Sequence, residues 1–374
     1  MLFSVFVAGG AQAAEPGVTC GSTVTTDVTL TADLYCPSGD GLILGTNVTL
    51  DLGGHSLIGS GSGVGVQTDF LSDGGNTVRN GTIENWATGL RFAEASPMRP
   101  PHVVADVKLQ KAPLIHLLSG GAALQMTRVT AVDSGISGQL DGNLEISESR
   151  LTRSPIDLFY AGATITNSTL VQSPFSTTAL GQVLIDSSKL DGKGAGRPGS
   201  VSETGITISN SVVKNFAQPI SGYWGGVTLT GNRFSDMPNG VLGDISSPIG
   251  SDGVSIIKGN TFLRTGIALR GNVPMIVEGN TFKHGEVGVE FTRSEPFPGD
   301  PPLTAEGSRA VGNVLTNNSG SGISARIAGV EVGGNIATRN GGYGIDAPGA
   351  IDLGGNVAFK NVLGQCVGVV CTRR

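Results

Sequence analysis

The chain has 374 residues, 59 of them Gly, with 14% charged residues, 5% aromatic residues and a formal net charge of −6. Glycine at about 16% beside 39% hydrophobic residues excludes a disordered chain, and the lack of Gly at every third position excludes collagen. Long helices are excluded too, since each interior Gly costs a helix ~1 kcal/mol relative to Ala, and an acidic chain gives no electrostatic reason to expect nucleic acid.

Residues 1–13 are apolar and end Ala11-Gln12-Ala13, which reads as the later part of a secretory signal peptide, without the usual basic start. No later apolar run is long enough to span a membrane. Residues 14–47 then read as an N-terminal cap carrying Cys20 and Cys36, and residues 361–374 as a C-terminal cap carrying Cys366 and Cys371. Of the three possible connectivities, a local pair at each terminus is expected, as in an oxidising compartment. Four free thiols stay open as the alternative; the spacings match no usual zinc finger.

Between the caps, residues 48–360 repeat a short phrase. It reads Ile146-Ser147-Glu148-Ser149-Arg150-Leu151, then Ile165-Thr166-Asn167-Ser168-Thr169-Leu170, and later Leu229-Thr230-Gly231-Asn232-Arg233-Phe234. Anchored on the small polar residue, the series runs His55, Gly81, Val107, Thr127, Ser149, Ser168, Ser188, Ser211, Asn232, Asn260, Asn280, Asn313, Asn335 and Asn356. Three positions before the anchor stand apolar residues in every copy, from Leu52, Val78, Val104 and Leu124 to Leu353. Two positions after it the same holds, through Val129, Leu151 and Leu170 to Phe234, Phe262 and Phe282. A second short strand follows in most copies, as in Pro155-Ile156-Asp157-Leu158 and Gly266-Ile267-Ala268-Leu269.

Short strands recurring at this period fit a coil whose turns stack and pair in parallel, right-handed as parallel crossovers are. The expected fold is an all-β, right-handed parallel β-helix of 13–14 turns with disulfide-stapled caps, a rod on the order of 60 Å long at ~4.8 Å per turn. Stacked Asn, Ser and Thr anchors would bond one another and satisfy corner backbone groups, so these residues and His55 read as structural.

The phrase Val48-Thr49-Leu50-Asp51-Leu52-Gly53-Gly54-His55, the repeated Gly-Asn-x-Phe and the end Gln365-Cys366-Val367-Gly368-Val369-Val370-Cys371 resemble secreted bacterial right-handed parallel β-helix repeat proteins, the superfamily of the pectate-lyase-like enzymes. The resemblance implies export and a polysaccharide partner bound on the long side of the rod. Calcium enters only through it, since no metal-ligand spacing is visible. The motif sets of polygalacturonases, pectate lyases and alginate epimerases are absent, so chemistry must be sought in outward positions.

The residue after the anchor forms a basic file with gaps: Lys108, Arg128, Arg150, Thr169, Lys189, Val212, Arg233. Such a file could track the carboxylates or sulfates of an acidic polysaccharide, or merely solubilise an exposed sheet. Beside it lie Arg153, Asp157 and Tyr160, then Asp186 and Lys189. A β-elimination would use Lys189 or Tyr160 as base and Arg150 or Arg153 to neutralise the uronate; a hydrolase would use Asp157 with Asp186. Trp224, next to Tyr223, could stack on sugar, and the Pro-rich loop from Glu295 to Pro302 could wall a groove. Two functions follow: a lyase or related carbohydrate enzyme, or a non-catalytic carbohydrate-binding or surface-structural protein. Outward Leu184, Ile256 and Ile276 leave an oligomer interface open.

Overall fold

A computed structural model describes residues 18–69, 75–94, 100–118, 123–139, 143–178, 181–202, 205–223, 226–243, 254–271, 273–294 and 303–373. Residues 1–17, Trp224 and the segment 295–302 lie outside the described residues, so the expectations placed on them stay as expectations. The described chain is a parallel β-helix without helices. Each turn has three strands, as in Asn143–Ser147, Arg150–Thr152 and Ile156–Phe159, which define a first, second and third face. Each strand pairs in parallel with its counterparts in the turns on either side, for example Ile146 with Met126 and Ile165. The one antiparallel pair among the described residues joins Arg293–Ser294 to Leu303–Thr304.

The alternation of apolar and polar residues decides which side chains enter the rod. Leu151, Leu170, Leu190, Val213, Phe234, Phe262 and Phe282 form one buried inner column. Its aromatic end is a stack, with ring centroids 5.2 Å apart between Phe234 and Phe262 and 4.7 Å between Phe262 and Phe282. Such offset parallel rings bury large apolar area in the narrow space one strand spacing allows.

The first corner, between the first and second faces, is the most regular part of the coil. From Val78 to Ile83, through Ile146 to Leu151, to Val332 and Ala337, five residues separate the inner positions on either side of it. Turning this tightly needs one residue in the left-handed region, met by Asp106 (φ 57°), Glu148 (φ 50°) and Asn167 (φ 49°), then by Gly231 (φ 67°) and Gly259 (φ 66°). The anchor follows this residue and closes the corner. The Ser149 N–H donates to Ser168 Oγ at 3.1 Å, Ser211 N–H to Asn232 Oδ1 at 2.9 Å, and Asn313 N–H to Asn335 Oδ1 at 2.9 Å.

A second ladder, which the phrase did not reveal, stands five residues after the first. Ser134 N–H donates to Ser154 Oγ at 3.0 Å and Ser154 N–H to Ser173 Oγ at 2.9 Å; near the C-terminal end Asn318 and Asn340 donate to Asn340 and Asn361 at 3.1 and 2.9 Å.

Strand register corrects the anchor series at three places. The fourth anchor is Val129, not Thr127: Val129 N–H donates to Ser149 Oγ at 2.9 Å, and the inner residues of that turn are Met126 and Ala131. A polar residue marks the corner only where one is present, and at Val107 and Val129 the buried slot is apolar. In the first copy Leu50, not Leu52, pairs with Val78, because the Gly53-Gly54 corner is two residues longer. In the last copy a register shift turns Leu353 outward, 47% exposed.

Parallel pairing extends into both terminal segments, Thr23 with Ile43 at one end and Ile345 with Cys366 at the other. The disulfides are Cys20–Cys36 and Cys366–Cys371, each closing the terminal turn on itself. The outward column of the first face holds Leu184, Ile256 and Ile276; Leu184 is exposed and the other two half-buried. No helix among the described residues is long and apolar enough to cross a membrane.

Candidate functional site

The basic file lies on the second face, and the corrected register changes its composition. The column reads Lys108, Thr130, Arg150, Thr169, Lys189, Val212, Arg233, bounded by Thr82 on one side and by Thr261 and Thr281 on the other. Arg128 does not belong to it. That residue is the left-handed corner residue (φ 54°), and its guanidinium grips Asp106 one turn away through two hydrogen bonds of 2.7 Å. Asp106 is held below the usual carboxylate range by those bonds, and Arg128 is raised by the same contact.

Lys108, Arg150, Lys189 and Arg233 are exposed, and none has a salt bridge or a side-chain hydrogen bond. Many cations elsewhere on the rod sit beside acids, although Lys283, Arg339 and Lys360 form no salt bridge among the described residues and Arg197 bonds Ser221 and Gln218. Arg79 bonds Asp51 at 2.9 Å, Arg264 Asp236 at 2.6 Å, Arg270 Glu290 at 2.7 Å and Arg326 Asp346 at 2.6 Å. Lys193 and Lys214 share Asp191 at 3.4 and 3.6 Å. Two acids near the file are engaged elsewhere: besides Asp106, Asp186 accepts from Ser209 at 2.5 Å, Ser187 at 2.7 Å and Asn210 at 2.8 Å, which hold its carboxyl low.

The expected catalytic residues are spread around the turn. Arg153 is the left-handed residue of the second corner (φ 48°) and is spent on Asp133, with bonds of 2.6 and 2.8 Å, so it is not a free cation for a uronate. Asp157 is exposed on the third face, between Ser137 and Ser176 as expected. Tyr160 begins the third corner (φ 57°), its ring edge-on to Phe159 at 4.4 Å. Lys189 points outward from the second face and Asp186 belongs to the first. Sequence spacing brought these groups together along the chain, but three-faced winding turns them in different directions.

Among the described residues no three His, Cys, Asp or Glu side chains converge. His102 is fully buried and stacks on Phe92 at 4.5 Å, while half-exposed His55 approaches Asp33 at 3.5 Å. An open depression of about 750 Å³ lies on the second corner further along the rod, lined by Pro238, Arg264, Gly266, His284, Glu286 and Asn317. Arg264, Glu286 and Asn317 carried no signal in the repeat, because corner residues vary from turn to turn.

A family model described as "Right handed beta helix region" matches residues 199–350, and the parallel pairing gives the same architecture over the described chain. A comparison with curated proteins finds no match. Among solved structures, the catalytic domain of a GH87 α-1,3-glucanase in complex with nigerose is 10% identical, with 98% of this chain and 70% of that chain covered and a TM-score of 0.38. A mannuronic acid specific family 6 polysaccharide lyase from human gut microbiota is 12% identical, with coverages of 93% and 91% and a TM-score of 0.34. The A-module of the Azotobacter vinelandii mannuronan C-5 epimerase AlgE6 is 14% identical, with coverages of 93% and 91% and a TM-score of 0.29.

Proposed function

We propose that the protein binds an acidic extracellular polysaccharide laid along the second face of the rod, its anionic groups met by Lys108, Arg150, Lys189 and Arg233. One observation carries this function: four exposed cations share one straight column, and all four lack the acidic partner that neighbouring Arg128 and Arg153 possess. An exposed ion pair is worth only ~0–1 kcal/mol, but four on one rigid strip act on one polymer chain and their effects multiply. The column follows the rod turn by turn, which suits a long extended ligand better than a folded protein. Two disulfides support an oxidising, extracellular setting.

Binding without bond cleavage is the preferred form of this function. A β-elimination needs base and cation around one sugar, whereas Tyr160 projects from another part of the turn than Arg150 and Lys189, and those two stand two turns, ~9.6 Å, apart along their column.

The test is affinity electrophoresis of the protein in gels containing a polyuronate, a sulfated glycan or a neutral glucan, with unsaturated product and reducing ends followed in parallel. Retardation is expected on the acidic gels alone, with no product. Arg150→Gln with Lys189→Gln should abolish it, while Arg128→Gln with Arg153→Gln, an equal loss of charge, should leave it nearly unchanged. Equal effects of the two double variants, or equal retardation by neutral glucan, would overturn the proposal. Appearance of product would overturn its non-catalytic form.

A further inference from the structure

The file is not a continuous basic strip. Its cations occupy every second turn, and the turns between present Thr130, Thr169 and Val212, none of which can neutralise an anion. Thr130 and Thr169 are half-buried and Val212 is 36% exposed. Parallel strands stand ~4.8 Å apart, so successive cations recur at about 9.6 Å and the four span about 29 Å. The second outward column of this face runs Gln110, Val132, Thr152, Val171, Asp191 and Lys214; its first four members are neutral and half-buried, and Asp191, buried beside Lys189, is paired with Lys214 of the next turn. Beside Lys108 and Arg150 it offers an uncharged floor.

A sugar in an extended glycan advances by about one strand spacing, so two sugars advance by about the separation of neighbouring cations. We infer that the second face is matched to a polysaccharide carrying one acidic group per disaccharide, an alternation of charged and neutral sugars, over about four disaccharides. This inference rests on the binding function proposed above and narrows its ligand. A homopolymer with a charge on every sugar would set every second anion over Thr130, Thr169 or Val212, where it would lose water and gain no counter-charge.

Isothermal titration of the full chain with two octasaccharides separates this from plain charge attraction. One alternates uronate with neutral N-acetylhexosamine and carries four charges; the other is an octa-uronate with eight. The alternating octasaccharide is expected to bind at least as tightly despite half the charge. Thr130→Lys with Thr169→Lys, which fills two of the gaps, is expected to raise octa-uronate affinity about tenfold and leave the alternating ligand within a factor of two. Tighter binding of octa-uronate by the unaltered protein, or an equal gain for both ligands in the variant, would overturn the inference and leave the acidic-polysaccharide function standing. Failure of both ligands to bind would overturn the two together.

Discussion

The backbone N–H and side-chain Nδ2 of Asn280 both donate to Oδ1 of Asn313, at 2.9 and 3.1 Å, so one buried oxygen one turn away closes two donors of the corner. Asn280 in turn accepts from the Asn260 backbone N–H at 2.8 Å and from its Nδ2 at 3.0 Å, and donates to the Ile257 carbonyl at 2.8 Å. From Ser149 to Asn335 every member of the ladder is likewise both receiver and giver.

Asn280→Ala strips the Asn260 N–H and the Ile257 carbonyl of their partners inside a dry corner, at a cost on the order of 3 kcal/mol. Asn280→Ser should lose less than half of that, because Ser168 and Ser188 receive the same backbone N–H in their own turns at 3.1 Å. Urea midpoints with unchanged slopes measure both; equal losses for Ala and Ser would refute the ladder's role as acceptor.

The anchors and the coil were legible because hydrogen bonding and burial act on the same residues in nearly every turn. The two corner positions before and at the anchor repeat, so Ser149, Ser168 and Asn232 announce themselves. Thr127 misled because Val129 contributes only its N–H to the ladder, which no side-chain pattern displays. That slip of two residues put Arg128 into the basic file and hid the alternation. The second ladder escaped notice although it keeps a fixed offset, Ser149 to Ser154 and Asn335 to Asn340, because its small residues stand among the varied residues of the second corner. What sequence could not display is the direction in which Asp157, Tyr160 and Lys189 face, since that depends on how the turn winds in space.

Salt should act on the second face in a graded way. At ~0.1 M the Debye length of about 10 Å matches the ~9.6 Å interval between cations, and at ~1 M it falls to about 3 Å. Glycan binding, measured by titration across this range, should weaken steadily and vanish near the upper limit. Binding that survives ~1 M salt would point to stacking or hydrogen bonding instead.

Acid should loosen the C-terminal turn. The carboxyl of Asp352 accepts from the Val370 N–H and the Gly354 N–H, each at 2.8 Å, and these donors hold it below its ordinary value of 3.8. A carboxylate lowered in the folded state contributes stability that is fully present above the ordinary value and is lost as pH falls through the lower folded one. The gap in Tm between the natural protein and Asp352→Asn should therefore be constant at neutral pH and close below about pH 4. A gap that widens in acid would contradict this.

Reduction should affect the two ends unequally. Cys20–Cys36 closes a separation of 16 residues and Cys366–Cys371 one of 5. The longer loop has more freedom to lose when unfolded, so replacing Cys20 and Cys36 by Ser should cost about 3 kcal/mol and the C-terminal pair less. Differential urea melts of the two double variants check the order.

The length of sequence between a third-face strand and the first-face strand that follows it varies from turn to turn: four residues separate Thr178 from Val183 and eight separate Thr68 from Thr77. Through the turns from Val78 to Ala337 the five-residue first corner stays fixed. A new segment can thus enter the third corner without shifting any cation along the second face, so the spacing of charges is insulated from insertion. The rod behaves as a ruler whose graduations are kept on one edge while the opposite edge is free to be rewritten.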